Sequence, residues 1–308
     1  MACATHPVAG GGAASEDRRS GTMTADAGAP TALGRARREL SAVLFDVDGT
    51  LVESERDGHR VAFNEAFAEA GLPDRWDVPH YRELLAVTGG EARLLHYFAT
   101  TWGAADAAPV PDADWPALAK RLHRVKTERF QAMVLAGRIP LRAGVRRLVD
   151  ELTSAGIRLG VVTTGSPEWV EPLLAGHFGP GRFAVVVTGR EVPILEPDPS
   201  AYLLALARLE ADPEAVLAVE DSGPGLAAAT AAGIACVVTG NDETRFEEVT
   251  SAPLVLEGLG EPDSPASVRA DPHGVFARAG GAATASTAVV DLAALRRLHA
   301  ALWERPES

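Results

Sequence analysis

Two carboxylates, one residue apart, stand where a short run of apolar residues ends. The run at 42–45 is followed by Asp46, Val47, Asp48, Gly49 and Thr50. A carboxylate can attack phosphorus and form an aspartyl phosphate, and a second acid can protonate the leaving oxygen and later activate water. Asp46 is therefore the candidate nucleophile and Asp48 the candidate acid and base. The alternative is an ordinary strand-ending turn, in which Asp and Gly are common.

A second polar cluster follows the apolar run at 159–162. It consists of Thr163, Thr164 and Gly165. A hydroxyl group together with free backbone amides can hold phosphate oxygens. These three residues are the candidate phosphate-binding residues, and the alternative is the N-cap of a helix, for which Ser and Thr are favoured.

A third cluster, Glu220 and Asp221, follows the apolar run at 216–219. Mg²⁺ prefers hard oxygen ligands in an octahedron. We expect Asp46, the backbone carbonyl of Asp48 and Asp221 to hold Mg²⁺, with Glu220 close by. The alternative is a helix start, where an acidic residue interacts favourably with the helix dipole.

The elements that must position these clusters are strands alternating with helices. Apolar runs of strand length occur at 42–45, 157–163, 183–188, 216–219 and 234–238. Helical periods lie between them, as at 145–152 and 202–209. This alternation predicts an α/β fold with a parallel sheet. Because ligands bind at the carboxyl ends of such strands, the polar clusters should meet at one edge.

One long stretch interrupts the alternation with helical periods alone. The sequence predicts a helical cap at 57–138, inserted into a discontinuous core at 41–56 and 139–261. Residues 1–40, rich in Ala, Gly, Ser and Thr, are expected to be a disordered tail. Residues 262–286 are expected to be a flexible loop, and 287–308 a C-terminal helix and tail.

The composition of the chain bears on its partners and on its location. The net charge of −13 disfavours nucleic acid and anionic membranes. The two cysteines, Cys3 and Cys236, form no disulfide framework, and the start of the chain lacks the apolar core of a secretory signal. We expect a cytoplasmic monomer whose partner is a small phosphorylated substrate.

Together the three polar motifs resemble those of the haloacid dehalogenase superfamily, over residues 41–260. The resemblance implies a Rossmann-like parallel-sheet core with an inserted α-helical cap. It also implies that Asp46 attacks phosphate, that Asp48 is the acid and base, and that Thr163 binds phosphate. Mg²⁺ is the expected cofactor.

The chain departs from the family at its third motif, a Lys that precedes Pro. Glu196 stands at that position, before Pro197. A Lys would reduce the repulsion between the site carboxylates and phosphate, and losing a comparable clamp costs about 10³ to 10⁵ in rate. We therefore expect slow or altered catalysis unless another cation, Arg190, Arg93 or Lys126, substitutes.

The insertion resembles the cap of the CbbY-like and β-phosphoglucomutase-like branch. CbbY proteins dephosphorylate xylulose-1,5-bisphosphate, and a bisphosphate needs a second cationic pocket. The resemblance implies these substrate-contacting residues: Glu53, Tyr81, Arg82, Thr88, Gly89, Gly90, Arg93 and Lys126. The alternative is that the arginines form surface ion pairs and the Gly pair breaks a helix. Glu91 is a second departure, since the family commonly has Lys after the Gly pair.

Three functions remain open on the sequence. The leading interpretation is a Mg²⁺-dependent phosphatase for a small phosphorylated sugar, with xylulose-1,5-bisphosphate as a candidate substrate. A phosphosugar mutase would use the same core and cap. A catalytically weak binding or regulatory protein is favoured by Glu196 and Glu91 and opposed by the intact motifs.

Overall fold

A mixed sheet forms the centre of the protein. The computed structural model describes residues 39–87, 89–104, 109–244, 247–276 and 286–303, and within them eight strands form one sheet in the order β3-β2-β1-β4-β5-β6-β7-β8. The strands are β1 (Ala42–Phe45), β2 (Arg158–Val162), β3 (Val185–Val187), β4 (Val216–Glu220), β5 (Ala235–Thr239), β6 (Leu254–Leu256), β7 (Ala266–Ala270) and β8 (Thr287–Ala288). The strands from β3 to β6 pair in parallel, whereas β7 and β8 are antiparallel to their neighbours.

Helices cover both faces of the sheet, because alternate residues of its buried strands point to opposite sides. In β1, Val43 and Phe45 join one apolar cluster, and Ala42 and Leu44 join the other. The helices of the core are α5 (Val145–Ser154), α6 (Pro167–Phe178), α7 (Ser200–Leu209), α8 (Gly223–Ala231) and α9 (Leu292–Trp303). Helices α5, α6 and α9 pack on the first face, and α7 and α8 on the second. The predicted α/β class is confirmed.

The segment between β1 and α5 is helical and has its own apolar core. Its helices are α1 (Arg60–Glu69), α2 (Val78–Leu84), α3 (Gly90–Tyr97) and α4 (Trp115–Leu135). Phe63, Trp76 and Leu122 are fully buried in a cluster separate from the two that flank the sheet. This is the inserted helical cap. An isolated bridge between Val52 and Leu141 brings its two connections side by side.

The expectation of a flexible loop at 262–286 is wrong for residues 266–270, which form strand β7. Strand β7 pairs with β6, and β8 pairs with β7. Val268 packs against the core, while Ser267 and Arg269 are exposed. The small residues around it hid this alternation from a search for apolar periods. Residues 277–285 of the expected loop lie outside the described residues.

Two further elements were not predicted, helix α2 and strand β6. Both are short, and the apolar run of β6 is only three residues long. The predicted tail lies outside the described residues up to residue 38. Within the described residues, no helix combines the length and apolar character needed to cross a membrane.

Candidate active site

The predicted polar clusters meet at the carboxyl edge of the sheet. Asp46 and Thr163 directly follow β1 and β2, and β4 ends at Glu220 with Asp221 next. A cleft of about 260 Å³ opens at this edge. Its lining residues are Asp46, Asp48, Gly49, Glu53, Glu55, Leu85, Thr164, Glu196, Asp221, Ser222, Asn241, Glu243, Thr244 and Glu247.

A tight turn places Asp46 and Asp48 in this cleft. The backbone N–H of Gly49 donates to the carbonyl of Val52 at 2.8 Å, and that of Leu51 donates to the carbonyl of Val47 at 3.0 Å. Gly49 has a φ of 82°, a conformation that residues with a side chain rarely adopt. The chain therefore reverses within a few residues of the end of β1.

Three buried carboxylates fit a hard cation. Asp46, Glu220 and Asp221 each offer an oxygen, and these oxygens lie within 4.8 Å of one another. Oδ2 of Asp46 is buried and has no hydrogen-bond partner. Oδ2 of Asp221 accepts from Nδ2 of Asn241 at 2.8 Å, which fixes the orientation of this carboxylate. Oxygen-only donors in this arrangement match the preference of Mg²⁺.

Glu220 is already engaged by hydrogen bonds at both oxygens. The Tyr202 hydroxyl donates to Oε1 at 2.6 Å, and the Ser222 hydroxyl donates to Oε2 at 3.3 Å. A Cβ at Gly225 would overlap the Glu220 carboxylate, so glycine is required at the start of α8. Glu220 therefore lies beside the cation position with its orientation fixed by neighbours.

Burial and mutual repulsion raise the pKa values of this cluster. Burial raises the pKa of Asp46 well above its ordinary range, and the nearby Glu220 and Asp221 carboxylates raise it further. The pKa of Asp221 rises to about 7, chiefly through burial. A bound cation would relieve this repulsion, because it favours the ionised carboxylates.

Asp48 lies in the same cleft, and its carboxylate is held by a hydrogen bond from outside the group of three carboxylates. Its Oδ1 accepts from the hydroxyl of Ser54. Burial raises the pKa of Asp48 to about 7, although the Ser54 hydrogen bond lowers it. A carboxyl group that titrates near neutral pH suits the exchange of protons with a leaving group and with water.

The predicted phosphate-binding residues lie on the opposite side of Asp46 from Asp221, since β2 and β4 flank β1. Thr164 lines the cleft. Thr163 is buried, and its hydroxyl accepts a hydrogen bond from the backbone N–H of Gly165 at 3.1 Å. The turn thus keeps the hydroxyl of Thr163 at the end of β2.

Comparisons with known proteins agree with this geometry. Residues 40–233 match the family model described as haloacid dehalogenase-like hydrolase. The chain belongs to the haloacid dehalogenase-like hydrolases. Protein CbbY of Cereibacter sphaeroides is 45% identical over 225 residues, which cover 72% of this chain and 94% of that protein. The chain is therefore a hydrolase with CbbY-like relatives.

Two solved structures of CbbY from Rhodobacter sphaeroides are also similar. The complex with phosphate is 44% identical, covers 71% of this chain and 94% of that one, and has a TM-score of 0.57. A mutant of the same protein in complex with xylulose-1,5-bisphosphate is 43% identical, with the same coverage and TM-score. The similarity spans core and cap.

This hydrolase carries Glu196 at the cleft, at the position where the resemblance to the family implies Lys. Burial raises the pKa of Glu196 to about 7, and the Asp48 carboxylate contributes. Oε1 of Glu196 is buried with no hydrogen-bond partner. None of the suggested replacement cations, Arg190, Arg93 and Lys126, is among the residues that line the cleft. Arg190 forms an ion pair with Glu168.

Arg93 and Lys126 are instead buried together in the cap of this hydrolase. Nη1 of Arg93 donates to the Tyr81 hydroxyl at 2.9 Å, and that hydroxyl donates to Oε2 of Glu55 at 2.6 Å. Nζ of Lys126 lies 5.1 Å from the ring centre of Phe63. Burial lowers the pKa of Lys126 to about 8. Through Glu55, this cationic cluster adjoins the cleft.

The remaining predicted cap residues are dispersed. Arg82 lies 3.8 Å from Asp242 of the core, and its Nε is buried without a partner. Gly89 and Gly90 form the start of α3, and Glu91 is exposed there, outside the cleft lining. Thr88 lies outside the described residues.

The sequence analysis did not identify Arg142, which connects the turn after β1 to the end of β5. Its guanidinium donates to the carbonyls of Gly49, Thr239 (2.7 Å) and Gly240 (2.8 Å), and its Nε lies 2.8 Å from Glu53. Glu53, predicted to contact substrate, thus lines the cleft while paired with Arg142. Asn241 was missed as well. Both bind backbone or carboxylate atoms from distant segments, so no local motif marks them.

Proposed function

We propose that this protein is a Mg²⁺-dependent phosphatase that acts on a small phosphorylated sugar through an aspartyl phosphate at Asp46. The observation that carries the proposal is the unpartnered Oδ2 of Asp46. This oxygen is buried at the cleft, beside carboxylates that fit a cation and beside Asp48, whose pKa is about 7. Family membership and the CbbY-like relatives support it.

The residues would divide the reaction between them. Oδ2 of Asp46 attacks phosphorus, the bond from phosphorus to the sugar oxygen breaks, and Asp48 gives its proton to that oxygen. Asp48 then takes a proton from water as the water attacks the aspartyl phosphate, which releases inorganic phosphate and restores Asp46. Asp46, the backbone carbonyl of Asp48 and Asp221 would hold Mg²⁺, with Glu220 beside them. Bound Mg²⁺ would offset the negative charge of phosphate and carboxylates.

The cap supports a substrate with a second anionic group. Arg93 and Lys126 are buried near the cleft, and Arg82 stands where cap and core meet. A CbbY structure contains xylulose-1,5-bisphosphate, a compound with a phosphate at each end. We therefore propose xylulose-1,5-bisphosphate or a similar sugar bisphosphate as the substrate. The net charge of −13 supports an enzyme without nucleic-acid or anionic-membrane partners. The two cysteines, which form no disulfide framework, are consistent with a cytoplasmic location.

Phosphate release tests this function. Purified protein is incubated with sugar mono- and bisphosphates in Mg²⁺ or in EDTA, beside the Asp46→Asn variant, which keeps the shape of the nucleophile but not its charge. We expect release that requires Mg²⁺ and is lost in the variant. Isomerised substrate without free phosphate would instead indicate a mutase. Cation binding without turnover of any substrate would indicate a binding protein.

A further inference from the structure

The guanidinium group of Arg142 joins three parts of the protein. Nη1 and Nη2 donate to the carbonyls of Gly49 and Gly240, and Nε lies 2.8 Å from Oε1 of Glu53. The side chain of Arg142 is only 8% exposed. Arg142 lies in the second connection between core and cap, and its backbone N–H donates to the carbonyl of Leu51 in the first connection at 2.9 Å. One buried side chain therefore holds both connections to the turn that carries the site.

The contact with Gly49 acts on the turn after β1. Gly49 directly follows Asp48, and its carbonyl also accepts a hydrogen bond from Nδ2 of Asn241 at 3.3 Å. Two donors on one carbonyl fix the backbone next to Asp48, and Arg142 supplies the charged donor of the two. A displacement of about 1 Å from the productive geometry can cost about 10² in rate. Loss of this contact should therefore slow turnover.

The contact with Glu53 acts on the charge of the cleft. Glu53 lines the cleft that a phosphate must enter. Burial raises the pKa of Glu53, whereas the neighbouring Arg142 lowers it. The guanidinium group thus favours the ionised carboxylate and offsets its charge. Without that partner, an ionised Glu53 would repel a phosphate monoester, which carries about 1.5 to 2 negative charges at neutral pH.

We propose that Arg142 is a positioning residue with two separable effects on the reaction. Its contact with Gly49 holds Asp48 in place for proton transfer, and its contact with Glu53 offsets a negative charge that opposes substrate binding. This inference rests on the proposed function, because both effects concern phosphoryl transfer in the cleft. The first effect should appear in kcat and the second in KM.

The shape of the guanidinium group explains why an arginine is needed here. Its planar fork presents several N–H donors in fixed directions, whereas the ammonium group of lysine is a point charge on a flexible chain. A lysine at residue 142 can stay beside Glu53, but it cannot also bind the carbonyls of Gly49 and Gly240 in the same geometry. Arg142→Lys should therefore keep the charge effect and lose the alignment of the turn.

A cavity beside Arg142 makes chemical rescue possible. Its volume is about 460 Å³, and it lies between the two cap connections and the residues that link β6 to β7. Both Arg142 and Glu53 line it. In Arg142→Ala, a guanidinium ion from solution can enter the space of the lost side chain. Methylammonium carries the same charge without the fork, so it serves as the matched cation.

The test is phosphate release from xylulose-1,5-bisphosphate, measured as kcat and KM at about pH 8. For Arg142→Ala we expect kcat to fall about 10²-fold and KM to rise at least about tenfold, as for a lost contact to a charged group. Arg142→Lys should lower kcat and keep KM. Adding Glu53→Gln to Arg142→Ala should restore KM but not kcat. Millimolar guanidinium should raise the kcat of Arg142→Ala at least about tenfold, and methylammonium should not.

Arg147→Ala is the matched control for a purely structural role. Arg147 also binds two backbone carbonyls, those of Gly260 (2.8 Å) and Val290 (3.0 Å), and it pairs with Glu261 at 3.2 Å. It does not line the cleft. Arg147→Ala should lower the melting temperature, keep kcat and KM, and show no response to guanidinium.

The results separate this inference from the proposed function. Phosphate release by the natural protein, with kcat and KM unchanged in Arg142→Ala and Arg142→Lys, would overturn the role of Arg142 and leave the phosphatase intact. The same holds if Arg147→Ala changes kcat as much as Arg142→Ala does. A KM that stays high after Glu53→Gln is added would overturn the charge effect. If the natural protein releases no phosphate, the proposed function and this inference both fall.

Discussion

Gly49 and Asp221 approach so closely that no side chain fits between them. A Cβ at residue 49 would overlap Oδ2 of Asp221 and would lie 2.6 Å from Nδ2 of Asn241. The carbonyl of Gly49 also accepts hydrogen bonds from Arg142 and Asn241. The turn after β1 therefore packs directly against Asp221, and residue 49 must be a glycine.

Gly49→Ala should reduce both activity and stability, through two separable effects. The added methyl group displaces Asp221 from the position in which it faces Asp46, so we expect cation affinity and phosphate release each to fall at least about tenfold, the effect of about 1.4 kcal/mol. The positive φ adds a conformational cost of about 1 to 2 kcal/mol to folding. Isothermal titration with Mg²⁺ and thermal melting separate these two effects.

Gly156→Ala is the matched control. Gly156 also has a positive φ, 76°, but a Cβ there meets nothing within 4 Å. It should lose comparable stability and keep its Mg²⁺ affinity. Equal loss of Mg²⁺ affinity in both variants would contradict a specific contact between residue 49 and Asp221.

The motif residues of the site were predictable because each follows a buried strand. An acid directly after an apolar run, as at Asp46 and Glu220, contrasts with its surroundings, and parallel strands bring such positions to one edge. Arg142 and Asn241 gave no comparable signal, because their partners include backbone carbonyls of distant turns. Such contacts exist only once the sheet has formed.

Ser54→Ala should move the pH profile of turnover to higher pH. The Ser54 hydroxyl donates to the Asp48 carboxylate and so favours its ionised form, which lowers the pKa of Asp48 from what burial alone would give. Without that donor the pKa of Asp48 rises above about 7. The rising and the falling side of the pH–rate profile that depend on Asp48 should then both move to higher pH. The measurement is kcat as a function of pH.

The equivalent change at Ser41 serves as the control. Its hydroxyl donates to the carbonyl of Ala215, at the other end of β1 from Asp48. Ser41→Ala should leave the pH profile in place. A profile in Ser54→Ala that stays unchanged or moves to lower pH would show that Asp48 does not govern turnover.

Without divalent cations, the protein should lose stability as pH rises. The pKa values of Asp221 and Glu196 are raised from 3.8 and 4.5 to about 7 by burial, so folding favours their protonated forms. The stabilisation that these protonated carboxyl groups provide is fully present below their ordinary pKa values, and it is lost as pH rises through about 7. In EDTA, the melting temperature should therefore fall by several degrees between about pH 6 and pH 8, at roughly 2–4 °C per kcal/mol.

Mg²⁺ should reverse this trend, because it binds the ionised carboxylates and competes with protons. The stabilisation by Mg²⁺ should be larger at about pH 8 than at about pH 6. Asp221→Asn should show a flatter dependence on pH in EDTA and a smaller response to Mg²⁺. A larger response to Mg²⁺ at the lower pH would contradict this account of the cluster.

Lys126→Met should weaken substrate binding more than it slows turnover. Methionine keeps an unbranched apolar chain beside Phe63 and Phe130 but removes the buried charge. A hydrogen bond to a charged group contributes about 1.5 to 3 kcal/mol, so KM for the sugar bisphosphate should rise at least about tenfold. Lys120→Met, an exposed position on the same helix, should leave KM unchanged. Equal effects of the two variants would exclude a role for the buried cationic cluster in substrate binding.

Glu196→Lys should lower the requirement for Mg²⁺. The new ammonium supplies positive charge at the cleft and so reduces the repulsion between its carboxylates and phosphate. We expect phosphate release at limiting Mg²⁺ to rise at least about tenfold, which is small beside the roughly 10³- to 10⁵-fold value of a phosphoryl charge clamp. Glu196→Gln, which removes the carboxylate without adding a cation, should show no gain at limiting Mg²⁺.

If Glu196→Lys is no faster than the natural protein at any Mg²⁺ concentration, the charge at residue 196 does not limit the rate. The measurement is the rate of phosphate release as a function of free Mg²⁺ for the three proteins.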